Sequence, residues 1–115
     1  MKTGIRFDDK VCVVSLDGQI NITTQTDIKN LVNSAIDQMT RLKKKVFILE
    51  ITKGSHITSS GIKLVFDIHA LCVEADLKFG ILNQSDTVKS VFKLSGLENY
   101  MVIHGDYDTL VKLVR

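Results

Sequence analysis

A chain of 115 residues with 44% apolar and 24% charged side chains and a net charge of +2 suits one domain around one hydrophobic core. So small a cationic excess does not mark nucleic acid or an anionic membrane as a partner. No apolar run is long enough to span a bilayer, and Met1-Lys2-Thr3-Gly4 leads into a strand pattern, not into the hydrophobic segment of a signal peptide.

From the N-terminus, Ile5–Asp9 and Val11–Leu16 read as an antiparallel pair turning at Asp8-Asp9-Lys10. The second is nearly all apolar, which predicts cover on both faces. Asp17-Gly18 allows a turn or bulge before Gln19-Ile20 continues. Thr24 with Asp27 three residues on approximates a capping box, and Ile28, Leu31, Val32, Ala35, Ile36 and Met39 then repeat at helical spacing. The cluster Arg41-Leu42-Lys43-Lys44-Lys45 complements the end of that helix dipole and reads as a solvated helix end. Val46–Ile51 is a buried strand. A second helix spans about Ser59–Glu74, followed by a strand at Leu77–Leu82. Asn83-Gln84-Ser85-Asp86 caps a third helix through Leu94, which Ser95-Gly96 stops. Tyr100–His104 is a last short strand, and Asp106–Val114 a C-terminal helix. The order β-β-α-β-α-β-α-β-α predicts a single α/β domain over residues 1–115. Its central sheet of four or five strands is mixed but mostly parallel, with about four helices.

Few residues here suggest chemistry. Cys12 and Cys72 lie in apolar segments and read as reduced core thiols of a cytoplasmic protein. His56, His69 and His104 belong to different elements and show no metal-ligand spacing. His69 shares a helical face with Ile62, Val65, Phe66 and Cys72, which fits a core or boundary histidine. No phosphate-binding glycine loop or nucleophile elbow occurs, so neither a catalytic residue, a metal ligand nor a cofactor is expected. The second helix carries two apolar stripes. Ile62, Val65, Phe66, His69, Cys72 and Val73 are expected on the sheet; Leu64, Ile68, Leu71 and Ala75 lie nearly opposite, against a neighbouring helix or a partner.

The stretch Ile57-Thr58-Ser59-Ser60-Gly61-Ile62 stands where a strand has ended and a helix begins, a place where α/β sheets expose functional loops. A hydroxyl there either caps the helix or carries a phosphate that the helix N-terminus tolerates.

Three motifs give the chain a resemblance to STAS domains, and among them to the bacterial anti-sigma-factor antagonists. Gly18-Gln19-Ile20-Asn21 with Thr24 resembles the family's Gly-Glu-Leu-Asp turn before a Thr-capped helix. Thr58-Ser59-Ser60-Gly61-Ile62 resembles its Asp-Ser-Ser-Gly-Leu loop. Val88-Lys89-Ser90-Val91-Phe92-Lys93-Leu94-Ser95-Gly96-Leu97 resembles its closing pattern, with one extra residue after the lysine. Asn21 and Thr58 replace aspartates of the family pattern. The resemblance implies phosphorylation at Ser59, with Thr58 or Ser60 as alternatives, and a partner-binding surface of Asn21, Thr23, Thr58, Ser59 and Ile62. It implies partner switching with an anti-sigma factor that is also a GHKL-type serine kinase, and a phosphatase to reset the switch. A STAS module that senses a small ligand or nucleotide, or serves a transport complex, is the alternative; a weak homodimer stays open.

Overall fold

The computed structural model describes residues 1–115. Its elements are β1 (Lys2–Asp8), β2 (Val11–Asp17), β3 (Gln19–Ile20), α1 (Gln25–Leu42), β4 (Val46–Ile51), β5 (His56–Ile57), α2 (Ser59–Glu74), β6 (Lys78–Asn83), α3 (Asp86–Ser95), β7 (Val102–His104) and α4 (Tyr107–Val114), with a 3-10 turn at Leu97–Asn99. No helix is long and apolar enough to cross a membrane.

Five strands form the main sheet in the order β1-β2-β4-β6-β7. β1 is antiparallel to β2, and the pairs β2–β4, β4–β6 and β6–β7 are parallel. Each parallel strand is added on the same side of the last, so right-handed crossovers place α1, α2 and α3 on one face. Side-chain alternation then divides the core. Cys12, Val14 and Leu16 of β2 and Phe47, Leu49 and Ile51 of β4 pack under those three helices. Val11, Val13, Val46 and Ile48 face the other way, beneath Leu110, Val111 and Val114 of α4. This double cover explains the unbroken apolar run of β2. Gly80 of β6 lets α4 approach: a β carbon there would stand 2.7 Å from Val114 Cγ2 and 3.0 Å from Leu110 Cδ1.

Local details depart from the sequence expectations. The capping box at Thr24 does not form: its Oγ1 donates to Gln19 O at 2.8 Å and accepts from Asn21 N at 3.1 Å, making no cap to α1. On α2 the sheet-facing residues are Gly61, Leu64, Val65, Ile68 and Cys72, which straddle the two expected stripes. Phe66 and Val73 are exposed instead, and the Phe66 ring meets Tyr100 edge-on at 5.9 Å. Tyr100 itself ends the 3-10 turn, so the last strand is shorter than expected. His69 does sit at the boundary, its ring 5.3 Å from that of Phe79.

Candidate functional site

The chain leaves the main sheet after β2 and again after β4, and each time it builds half of a small side ribbon. Gln19 pairs with His56 and Ile20 with Ile57, in parallel. Gly18, at φ 139°, turns the chain off β2 in a conformation that favours glycine. Ser55 fastens the second departure. It is fully buried, and its Oγ accepts from Gly18 N at 3.1 Å. Next to it Thr52 Oγ1 donates to Asp17 Oδ1 at 2.6 Å. Ser85, also buried, donates to Ser55 O at 2.8 Å and accepts from Val88 N at 3.2 Å, so the cap of α3 is tied to the same loop. Every buried polar side-chain atom is thereby satisfied.

Ser55 was not legible as a structural residue in the sequence. The only signal was Thr52-Lys53-Gly54-Ser55 itself, a run of turn-forming residues after a buried strand.

The ribbon delivers its two chains side by side to the start of α2. Ile20 O accepts from Thr58 N at 3.1 Å. Thr58 is the N-cap, with extended backbone, and its Oγ1 accepts from Gly61 N at 3.3 Å. Gly61 is where helix and ribbon touch: a β carbon there would lie 2.3 Å from Ile20 O and 2.5 Å from Ile57 Cγ1. Ser59 opens the helix. It is exposed, and its hydroxyl makes no hydrogen bond within the chain, whereas Ser60 is half-buried. The backbone N–H groups of the first turn lack intrahelical partners, save that of Gly61, which Thr58 holds.

Across the ribbon Asn21 organises its loop. Its Oδ1 accepts from Thr23 N at 2.9 Å, Thr23 Oγ1 at 2.6 Å and Thr24 N at 3.3 Å. Thr23 is exposed, and so is Ile22, at 67%, an apolar side chain that the sequence did not single out. By register Asn21 and Thr58 each stand one residue beyond the paired Ile20 and Ile57. The structure thus gathers Asn21, Thr23, Thr58 and Ser59 at one end of the ribbon. Ile62 belongs less to that surface, being half-buried against the larger core. Lys63, exposed one turn along from Ser59, has no carboxylate partner, and Asp67 is taken by Lys29 at 3.3 Å. The two concavities of the molecule lie elsewhere. One is beside α4; the other, about 450 Å³, lies between α3 and β7 and is lined by Ser85, Asp86, Lys89, Glu98 and His104 among others. Ser59 stands outside both.

The thiols are remote from this end. Both cysteines are fully buried, and burial pushes Cys12 up to about 11 and Cys72 to about 12.

Such an arrangement is a four-helix α/β domain whose serine-led helix start is exposed on a side ribbon. The model of the STAS domain matches residues 3–110, and the chain belongs to that family. No curated protein matches it. Among solved structures it is similar to an anti-sigma factor antagonist from Mycobacterium paratuberculosis, with TM-score 0.82 and 17% identity over 99% of this chain and 93% of that one. It is also similar to the anti-sigma factor antagonist SpoIIAA in its unphosphorylated form, with TM-score 0.67 and 23% identity over 90% and 88%. The Bacillus cell fate determinant SpoIIAA in the phosphorylated form gives TM-score 0.65 and 22% identity over 99% and 100%. At these identities the likeness is one of fold.

Proposed function

We propose that the chain is an anti-sigma-factor antagonist working by partner switching. Unmodified, it binds a GHKL-type anti-sigma factor that is also a serine kinase; phosphate on Ser59 releases it, and a phosphatase restores it. The observation that carries this reading is the position of Ser59, exposed and unbonded at the first turn of α2. Thr58 supplies the cap, so modifying Ser59 removes no hydrogen bond from the fold. Thr58 is occupied as a cap and Ser60 is half-buried, which makes Ser59 the favoured acceptor of the three. A phosphate adds about −1.5 to −2 charge at neutral pH, and a helix N-terminus favours such a charge by ~0.3–1 kcal/mol. The fold therefore tolerates the group, while a partner packed on Ser59 has to desolvate a dianion or withdraw. The fold likeness to SpoIIAA, solved both without and with phosphate, supports a scaffold of this shape as a carrier of the modification.

The test is binding to the cognate kinase by the wild type, Ser59→Ala and Ser59→Asp, with mass spectrometry of the kinase-treated wild type. Ser59→Ala should bind and Ser59→Asp should lose at least about tenfold in affinity, with melting unchanged. Phosphate should map to Ser59 and not to Thr58 or Ser60. An Asp variant that binds as well as wild type refutes the switch.

A further inference from the structure

β1 is an edge strand with no neighbour on its outer side. It is seven residues long and exposed throughout except at Ile5, which is half-buried. Such an edge is a template for another strand unless side chains guard it. Arg6 is turned across β2 to Glu50, at 2.9 Å, and Asp8 Oδ2 accepts from the Tyr107 hydroxyl at 3.1 Å. Lys2 has no carboxylate partner in the chain, and a second β1 running antiparallel supplies one.

The hairpin decides which backbone groups are free. Asp8 and Val11 flank the two-residue turn Asp9–Lys10 and face each other, so they exchange both hydrogen bonds. By alternation Arg6, Gly4 and Lys2 also turn their N–H and C=O groups towards β2. Thr3, Ile5 and Phe7 therefore point theirs outward. A two-fold axis through Ile5 sets Ile5 against its own copy and Thr3 against Phe7, joining the outward groups in roughly six bonds.

In that register Lys2 stands opposite Asp8 of the second copy, twice over, and Gly4 stands opposite Arg6. Gly4 has open space where a side chain would be, so it does not obstruct the Arg6 opposite, whose guanidinium stays on Glu50 of its own chain at 2.9 Å. Neighbouring registers that also align the outward groups fail on charge. An axis through Gly4 sets Lys2 against Arg6, and one through Arg6 sets Arg6 against itself, so neither gives Lys2 the carboxylate that it meets in the register centred on Ile5. On the helix face the pairing also covers Phe7, which is 36% exposed and has the Lys44 ammonium 5.9 Å from its ring centre.

We propose that the chain forms a two-fold dimer through β1 in the register centred on Ile5, joining two five-stranded sheets into one. No residue of the Ser59 surface is among those paired, so each dimer presents two docking sites.

Sedimentation equilibrium tests this with wild type, Lys2→Asp, Asp8→Lys, the double variant and an equimolar mixture of the single variants. The wild type should dimerise with concentration, and each single reversal should weaken the dimer about tenfold, since attractive pairs become repulsive. The double variant should regain the affinity. The mixture should form heterodimers, because a chain with two aspartates faces one with two lysines. Thr3→Pro removes an outward N–H at an exposed position and leaves the β1–β2 ladder intact; it should melt near wild type and stay monomeric, which keeps the test sound if Asp8→Lys folds poorly. A wild type that remains monomeric to about 1 mM overturns the proposal. So does a dimer indifferent to both reversals, or one that the double variant fails to restore.

Discussion

Replacing Gly61 with alanine probes the contact that sets the geometry of the Ser59 end. In an open helix position the exchange stabilises by ~1 kcal/mol, because alanine is the better helix former. Here the added carbon would stand 2.3 Å from Ile20 O and 2.5 Å from Ile57 Cγ1. To restore ordinary contact the ribbon must retreat by about 1 Å. Retreat stretches the bond from Thr58 N to Ile20 O, now 3.1 Å. Overpacking of this kind costs ~1–3 kcal/mol and a weakened hydrogen bond ~1 kcal/mol. Set against the propensity gain, the expected net loss is ~2 kcal/mol. For a chain of this size that is a fall in Tm of about 8 °C, at about 4 °C per kcal/mol. Urea unfolding followed by circular dichroism should show a lower midpoint with an unchanged slope. Gly54→Ala is the control: no atom lies within 4 Å of its would-be β carbon, so its effect should stay within about 0.5 kcal/mol. If Gly61→Ala proves as stable as wild type, helix and ribbon do not touch as described, and the account of how Asn21 and Thr58 are brought together fails.

Thr58→Ala should cost ~1 kcal/mol in the same assay through loss of the cap to Gly61 N, while Thr58→Asp, which caps as well or better, should not. Gly80→Ala should lower stability by ~1–3 kcal/mol by pushing Val114 and Leu110, and with them α4, off β6, and protection from hydrogen exchange should fall in α4 more than in α1. The cysteines set an alkaline limit. Burial raises both thiols from the ordinary value of 9.0, to about 11 for Cys12 and about 12 for Cys72, so the unfolded chain loses these protons first. Their contribution to stability is whole below pH 9.0 and declines as pH rises towards the folded values. The unfolding midpoint should drop across that range, and the drop should shrink in a variant lacking both thiols. Equal pH profiles would refute the assignment.

Most of the fold was legible because its elements keep one period over many residues. The spacing of Ile28, Val32, Ala35 and Met39 gave α1, and the apolar runs gave β2 and β4. The β3–β5 ribbon was not legible, since two-residue strands have no period. Their pairing depends on Gly18 turning the chain off β2 and on Ser55 holding the return, both tertiary facts. The faces of α2 were misassigned for a related reason. Apolar residues nearly encircle that helix, so the pattern alone did not say which arc the sheet would take. Gly61 decides it, because only the arc that contains glycine can lie on the ribbon. At the site, the exposed Ile22 was passed over because an isolated apolar residue in a polar loop carries no pattern.

Asn21 and Thr58, which replace aspartates in the motifs that carry the resemblance, each make local hydrogen bonds. Thr58 Oγ1 holds Gly61 N, and Asn21 Oδ1 holds two backbone N–H groups and the Thr23 hydroxyl. What the replacements remove is charge. Neither the ribbon nor the first turn of α2 carries a carboxylate, and Lys63 one turn along is unpaired. A dianion placed on Ser59 therefore enters a patch without fixed negative charge, and meets a cation at the helical spacing that brings side chains together. Two aspartates there would repel it, by an amount that falls with salt. In the switch proposed above, their absence would leave the whole electrostatic contrast of this surface to the hydroxyl of Ser59. A partner docked there under that proposal would answer to position 59 without a standing background of like charge.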